Sequence, residues 1–272
     1  MATVSSVNLQ SGLTLSYAEQ GNAPHGVALV LLPGPTDSWR SYQPVLDRLP
    51  PSMHTVAVSL RGHGDSDKPK TGYRVEDYAV DVVLLLDALG IERAVLAGHS
   101  GSCLVARRVA LDHPERVVGL VLEASPTTLR GHAGLAEFVR SVVAGLEDPI
   151  GADVVRSFLI DTSSDDVTPA LLDQLIAEVL KVPARVWKQT FAALLDYDDI
   201  GSLARIDVPT LLVWGENDAV VSRAMQDQMV RRIPAAKLVV YRGVGHTPRW
   251  DDPSRFSSDV ADFVTELRRT PD

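Results

Sequence analysis

Short apolar runs alternate with amphipathic stretches along most of the chain. The runs are rich in valine, leucine and alanine and are bounded by glycine and proline. This pattern is typical of strands buried on both faces of a mostly parallel sheet. It predicts strands at residues 13–19, 27–32, 55–60, 94–98, 117–123, 210–215 and 237–241.

Apolar residues at three- and four-residue spacing predict helices between these strands. The pattern at residues 75–89 ends at Gly90, a residue that commonly stops a helix. The same spacing predicts further helices at residues 101–112, 222–233 and 253–269. Alternation of this kind indicates an α/β fold with a mostly parallel, doubly wound sheet.

One long stretch breaks the alternation. Residues 126–204 contain no convincing strand pattern, whereas helical patterns recur at residues 133–146, 151–161, 168–180 and 183–196. Insertions of this length are often lids over a functional site. We therefore predict an α/β core made of residues 1–125 and 205–272, with residues 126–204 as a helical cap.

The composition fits one large globular domain. The chain has 272 residues, of which 45% are hydrophobic and 22% are charged, and this is enough for a substantial core. The net charge is −9, and no block of lysine or arginine forms a basic face. Nucleic acid and membranes are therefore not expected as partners.

Several other sequence signals are not found. The first residues do not resemble a signal peptide, and the apolar runs are far too short to span a membrane. Cys103 is the single cysteine, which fits a reducing compartment. Neither a paired-histidine zinc motif nor a dinucleotide fingerprint occurs. We expect a soluble, cytoplasmic protein that needs no metal or cofactor.

The stretch G-H-S-G-S at residues 98–102 directs attention to Ser100, which directly follows a predicted strand. Ligands of α/β sheets gather at the carboxyl ends of strands. A serine hydroxyl becomes a useful nucleophile when a base takes its proton and an acid orients that base. Asp218 and His246 each follow a later strand and could supply these groups. Glu123, at the end of residues 117–123, is an alternative acid.

Four stretches resemble the capped α/β-hydrolase superfamily, in its serine esterase and epoxide-hydrolase-like branch. They read SLRGHGDSDKP, GHSGS, LLVWGENDAVV and GVGHTPRWDDP, and the similarity runs from about residue 10 to residue 268. The resemblance implies that Ser100 is the nucleophile, Asp218 the orienting acid and His246 the base. The chain order Ser, Asp, His agrees with it.

Two departures from the family pattern concern the elements around Ser100. Ser102 stands where the elbow usually has glycine, and Pro33 stands where the loop commonly has histidine. Pro35 occupies the position whose backbone N–H usually contributes to the oxyanion hole, and proline has no N–H. Gly101 would supply one donor, and the N–H or hydroxyl of Thr36, or a tilted loop, would have to supply the other.

The predicted cap is rich in aromatic residues at helical spacing, and most of these are expected to pack between cap and sheet. Trp39, His132 and Trp187 are our candidates for the substrate pocket. An apolar cap favours an apolar acyl or alcohol group in the substrate.

Together these patterns predict a serine hydrolase that cleaves a small apolar carboxylic ester or lactone through an acyl-enzyme. Two alternatives stay open. One is a ligand-binding or signalling protein with slow or no turnover, and the other is a cofactor-free lyase or oxygenase on the same scaffold. Serine at position 100, where dehalogenases and true epoxide hydrolases use aspartate, argues against those two reactions.

Overall fold

The computed structural model describes residues 2–21, 27–163 and 167–269. Residues 1, 22–26 and 270–272 of the predicted core, and residues 164–166 of the predicted cap, lie outside this description. Eight strands form one sheet in the order β1-β2-β4-β3-β5-β6-β7-β8. The strands are β1 Thr3–Asn8, β2 Thr14–Gln20, β3 Ala28–Leu32, β4 Thr55–Val58, β5 Ala94–His99, β6 Val117–Glu123, β7 Thr210–Gly215 and β8 Ala236–Tyr241.

Strand β2 runs antiparallel to both of its neighbours, and all pairings from β4 to β8 are parallel. The carboxyl ends of β3, β5, β6, β7 and β8 therefore meet at one edge of the sheet. This edge is where the chemistry of an α/β sheet is expected.

Helices flank the sheet and form the inserted segment. They are α1 Gln43–Leu46, α2 Val75–Ala88, α3 Ser102–Asp112, α4 Ala133–Ser141, α5 Ala152–Asp161, α6 Pro169–Val179, α7 Ala184–Asp196, α8 Arg223–Arg232, α9 Pro248–Asp251 and α10 Pro253–Arg269. Short 3₁₀ helices lie at Trp39–Tyr42, Pro114–Arg116, Val143–Gly145 and Ile200–Arg205.

The two faces of the sheet bury alternate residues of the same strands. In β3, Val30 and Leu32 pack into the cluster that contains α2 and α3, whereas Leu29 and Leu31 pack into the cluster that contains α1 and α10. Successive side chains of a strand point to opposite faces. Continuous apolar runs are therefore what a sheet covered on both sides requires.

Helices α4–α7 lie between β6 and β7, and Arg107 of α3 holds both ends of this insertion. Its fully buried guanidinium donates to the carbonyl oxygens of Pro126 and Thr127 at 2.8 and 3.1 Å. It also pairs with Asp199 at 2.6 Å, where the chain returns to the core. The root of the insertion is thus fixed to the helix that follows Ser100.

The predicted fold class, a mostly parallel doubly wound α/β sheet, is confirmed. Strand β1 was not predicted, and the single helix predicted for residues 133–146 is α4 followed by a short 3₁₀ helix. Within the described ranges, no helix has both the length and the apolar character needed to cross a bilayer.

Candidate active site

Ser100 occupies a sharp turn between β5 and α3. Its φ of 52° lies in the left-handed region, which non-glycine residues rarely adopt. A Cβ at Gly98 would lie 2.7 Å from the carbonyl oxygen of Ser102, so strand and helix can approach this closely because residue 98 is glycine. The turn places the Ser100 side chain above the carboxyl edge of the sheet.

The structure brings Ser100, His246 and Asp218 together from three separate strand ends. Nε2 of His246 lies 3.0 Å from Oγ of Ser100, and Nδ1 lies 2.9 Å from Oδ2 of Asp218. The other carboxylate oxygen of Asp218 accepts the backbone N–H groups of Val220 and Val221, both at 2.8 Å. This arrangement can pass a proton from the hydroxyl to the imidazole while the carboxylate orients the ring.

Glu123, the alternative acid, has a different partner. Its carboxylate accepts the backbone N–H of Arg249 at 2.8 Å and the guanidinium of the same residue at 3.2 Å. Glu123 and Arg249 are both fully buried. Of the two candidate acids, the geometry joins Asp218 to His246 and uses Glu123 to hold the chain that follows His246.

The loop after β3 is tied to the helix after Ser100. The hydroxyl of Ser102 donates to the carbonyl oxygen of Pro33 at 2.5 Å, so serine in place of glycine here adds a tether. The ring of Pro35 packs on Gly101, since a Cβ at Gly101 would meet Cγ of Pro35 at 2.8 Å. Gly101 precedes α3, where backbone N–H groups have no partner inside the helix.

Arg249 also connects this loop to the His246 segment. Its guanidinium lies 2.9 Å from the carboxylate of Asp37, which forms part of the cavity wall. Burial raises the pKa of Asp37 from 3.8 to about 6, and the charge of Arg249 opposes this rise. The buried chain Asp37–Arg249–Glu123 therefore links the loop after β3, helix α9 and the end of β6 at the carboxyl edge.

His99 supports the proposed base from behind. Its Nε2 lies 3.1 Å from the carbonyl oxygen of His246, and the two rings are 5.0 Å apart. Burial first, and then the charge of Arg249, lowers the pKa of His99 well below its ordinary value. The ring is therefore neutral, and Nε2 donates its hydrogen to the carbonyl oxygen.

A cavity of about 290 Å³ lies over Ser100 and His246. The insertion contributes most of its apolar wall, through Leu129, Leu135, Phe138, Phe158, Leu159, Phe191 and Leu194. His132 also lines the cavity, and its Nδ1 accepts the backbone N–H of Leu135 at the start of α4. The cavity therefore lies between the carboxyl edge of the sheet and the inserted helices, with an apolar roof.

Three of the predicted site residues are placed elsewhere. Trp39 packs on the opposite face of the sheet, in the cluster with α1 and α10. Trp187 lies behind Phe158, with ring centroids 5.0 Å apart, and is fully buried. Thr36 is buried in the loop after β3. In the described part of the chain, none of these three lines the cavity.

Sequence reasoning missed Asp37, His99 and Arg249 as parts of the site. Arg249 carried little signal, because it lies in the polar segment HTPRWDDP, where an arginine is ordinarily exposed. Its partners, Asp37 and Glu123, are far away in sequence, so no local pattern pairs either of them with Arg249.

Comparison with known proteins agrees with this architecture. The family model of the alpha/beta hydrolase fold matches residues 27–253. The 2-(acetamidomethylene)succinate hydrolase of Mesorhizobium japonicum is 27% identical over 267 residues, which cover 93% of this chain and 92% of that protein.

Two solved structures are also similar. Esterase RhEst1 from Rhodococcus sp. ECU1013 is 28% identical with a TM-score of 0.84, covering 97% of this chain and 99% of that one. Est816, described as an N-acyl homoserine lactone degrading enzyme, is 28% identical with a TM-score of 0.79, covering 95% and 100%.

An α/β core with a strand–turn–helix serine belongs to a well-populated class of enzymes. This chain is a member of the alpha/beta hydrolase fold family. Its relatives include hydrolases and esterases, which supports an enzyme of that family.

Proposed function

We propose that this protein is a serine hydrolase that cleaves a carboxylic ester or lactone. The observation that carries the proposal is that His246 lies within hydrogen-bond distance of both Ser100 and Asp218. Its Nε2 is 3.0 Å from Oγ of Ser100, and its Nδ1 is 2.9 Å from Oδ2 of Asp218. A serine with its base and an oriented acid, beneath an apolar cavity, is the arrangement that acyl transfer requires.

In the proposed reaction, Oγ of Ser100 attacks the carbonyl carbon while Nε2 of His246 takes its proton. The carbonyl oxygen becomes an oxyanion beside the N–H of Gly101. His246 then gives the proton to the departing alcohol, and the acyl group stays on Ser100. Water, deprotonated by His246, attacks the acyl-enzyme; the acid leaves and Ser100 regains its proton.

The second oxyanion donor is the unusual part of this proposal. Pro35 has no N–H, and loss of one donor lowers the rate of such enzymes by roughly 10²–10³. We assign the second donor to the N–H or hydroxyl of Thr36, which directly follows the cavity-lining Pro35 and whose hydroxyl is buried without a hydrogen-bond partner.

The apolar cavity favours a substrate with a small apolar acyl or alcohol group. The esterase and lactone-degrading activities named for two similar proteins point in the same direction. We further propose that residues 126–204 act as the cap over this substrate, with His132 touching it, and that the protein works in the cytoplasm without a cofactor.

A covalent serine reagent tests the nucleophile directly. A fluorophosphonate should label wild-type protein and the Ser52→Ala control, which alters an exposed serine away from the cavity. Ser100→Ala should not be labelled and should lose turnover of p-nitrophenyl esters and lactones. Folded wild-type protein that stays unlabelled would contradict the proposal.

Pro35 favours one alternative, a ligand-binding protein with very slow turnover. Under that alternative, a ligand should raise the melting temperature while the ester panel shows negligible turnover. A Ser100→Ala variant that keeps an activity would instead indicate a lyase or oxygenase reaction in which the histidine acts as base.

A further inference from the structure

The wall of the cavity over Ser100 carries carboxyl groups without basic ones. The described residues that line it include Asp37 and Asp161, but no lysine or arginine. Asp37 is buried in the loop after β3, whereas Asp161 is exposed at the end of α5. The cavity therefore has one carboxyl on the side of the core and another on the side of the insertion.

The charged groups behind this wall are also mostly acidic. Asp218, the partner of the proposed base, is fully buried. Glu123 is fully buried as well, and it shares the guanidinium of Arg249 with Asp37. Three carboxyls thus stand against one guanidinium among these four side chains, and Asp161 adds a further carboxyl. In a cleft with apolar walls, charges of one sign focus the field, and here the potential is negative.

A second acceptor lies close to the carboxyl of Asp37. Nδ1 of His99 is buried without a hydrogen-bond partner, and it is an acceptor because Nε2 carries the hydrogen of the ring. A Cβ at Gly34 would lie 2.5 Å from this Nδ1 and 3.6 Å from Oδ2 of Asp37. All three residues line the cavity. Two acceptors are therefore near one point of its wall.

The hydroxyl groups of the wall do not reverse this balance. Oγ1 of Thr162 donates its hydrogen to the carbonyl oxygen of Phe158 at 2.8 Å, so it can only accept further hydrogen bonds. Thr247 has a buried hydroxyl without a partner and can donate one hydrogen. The N–H of Gly101 is already assigned to the oxyanion. The side chains of the wall thus supply more acceptors than donors.

A free carboxylate on the substrate is therefore costly to bind here. An ionised group that leaves water needs a counter-charge or hydrogen-bond donors, and repulsion by Asp37 and Asp161 adds to the cost. A cationic group also loses water, but the same two carboxyls attract it. The sign of the charge on a substrate should consequently matter as well as its presence.

We propose that the cavity selects substrates by charge, accepting neutral and cationic esters or lactones and rejecting those that carry a free carboxylate, with Asp161 as a specificity-determining residue. The proposal rests on the serine hydrolase function and names the charge class of its substrate. The acid released by ester hydrolysis is itself a carboxylate, so the same groups disfavour its return to the cavity.

Matched p-nitrophenyl esters separate charge from shape. One pair is the glutarate monoester and an analogue with an isopropyl group in place of the carboxylate. The other is the γ-trimethylammoniobutyrate ester and its tert-butyl analogue. The assays are run above the pKa of Asp37, which burial raises to about 6, and each rate is divided by that of hydroxide alone. The anionic ester should have kcat/KM at least about 100-fold below its analogue, and the cationic ester should stay within about tenfold.

Substitution of Asp161 tests the assigned residue. Asp161→Asn should raise kcat/KM of the anionic ester about threefold relative to its isopropyl analogue, because one repulsive charge is removed. Asp207→Asn is the matched control, since it removes an exposed carboxylate before β7, at the opposite end of the sheet. That variant should leave the ratio unchanged.

The possible failures are distinguishable. If wild type hydrolyses the neutral esters but the anionic and cationic esters lose equally, selection by charge is overturned and the serine hydrolase function stands. An unchanged ratio in Asp161→Asn, or an equal change in Asp207→Asn, would overturn the role of Asp161. If none of the four esters is turned over and a fluorophosphonate does not label Ser100, the proposed function fails and this proposal with it.

Discussion

Two buried acids near His246 have distinct partners, and their substitution should have distinct effects. Asp218→Asn keeps the shape of the side chain but no longer stabilises the correct tautomer and charge of His246, so kcat should fall by about 10⁴. Glu123→Gln should keep kcat within about tenfold but leave Arg249 partly unpaired, lowering the free energy of unfolding by about 3 kcal/mol. Ester turnover and urea unfolding measure both. The reverse pattern would make Glu123 the acid.

The buried carboxyl of Asp37 should appear in the pH dependence of stability. Its pKa is about 6 in the folded protein and near 3.8 in the unfolded chain. Between these two pH values the carboxyl is therefore protonated in the folded protein and ionised in the unfolded chain. The contribution of Asp37 to the free energy of unfolding therefore falls as pH rises through this window, by up to about 3 kcal/mol.

His63 contributes the opposite slope, because burial lowers its pKa from 6.5 to about 4 and the unfolded chain then binds the extra proton. Comparing wild type with Asp37→Asn by urea unfolding between pH of about 4 and 7 isolates the Asp37 contribution. The free energy of unfolding of wild type should fall relative to that of Asp37→Asn as pH rises. Identical slopes in both would count against the raised pKa.

For individual residues, the sequence was most informative about those that the proposed reaction places at the ends of strands. Ser100, Asp218 and His246 each follow a strand, and parallel strands bring their carboxyl ends together. Trp39 was assigned to the pocket because it adjoins the oxyanion loop in sequence, and Trp187 because it is an aromatic residue of the predicted cap. The direction in which an aromatic side chain points depends on what it packs against. Trp39 packs on the opposite face of the sheet, and Trp187 packs behind Phe158.

Among the elements, α3 carries both the turn of Ser100 and the anchor of the insertion. Arg107→Ala would leave the buried carboxylate of Asp199 unpaired and should lower the free energy of unfolding by about 3–5 kcal/mol. Arg108→Ala is the matched control, since its pair with Asp112 is partly exposed and should contribute less than about 1 kcal/mol. Equal losses in urea unfolding would contradict the anchor.

The close approach of β5 and α3 gives a second prediction for the elements. In Gly98→Ala the new methyl group would overlap the backbone of Ser102 and Cys103, so the free energy of unfolding should fall by about 1–3 kcal/mol. Gly145→Ala introduces the same group where nothing lies within 4 Å, and should change stability by less than about 0.5 kcal/mol. A tolerated Gly98→Ala would mean that the crossing can widen.

Most elements could be predicted from periodicity because burial imposes it. Helix α2, predicted at residues 75–89, is Val75–Ala88, and β6 matches its predicted bounds. Strand β1 was missed because its residues are almost all exposed and its sequence, TVSSVN, has no apolar run. Its position depends on pairing with β2, which a local pattern does not contain.

For the whole molecule, the cavity between sheet and insertion should set substrate size. Each added CH₂ group that is buried should raise kcat/KM about fourfold, until the acyl chain fills the cavity. Phe138→Ala enlarges the cavity beneath the inserted helices. The rise in kcat/KM with chain length should therefore continue to longer p-nitrophenyl esters. Phe263→Ala, on the opposite face of the sheet, should leave the chain-length profile unchanged. An unaltered profile in Phe138→Ala would place the acyl chain elsewhere.

The α/β class and the existence of a long helical insertion were predictable, because alternation and its interruption are visible in one dimension. The order of strands in the sheet and the volume left beneath the insertion were not. Both depend on contacts between distant segments, such as the pairing of β3 with β5 and the packing of Phe138 on Phe191.

Arg107 holds one end of the insertion through main-chain oxygens, those of Pro126 and Thr127. A backbone carbonyl accepts this hydrogen bond whatever side chain its residue carries. The helices between Thr127 and Asp199 can therefore change in sequence, and with them the substrate specificity, while their attachment to Arg107 is kept. A different helical segment grafted between residues 127 and 199 would still be attached to the core through Arg107.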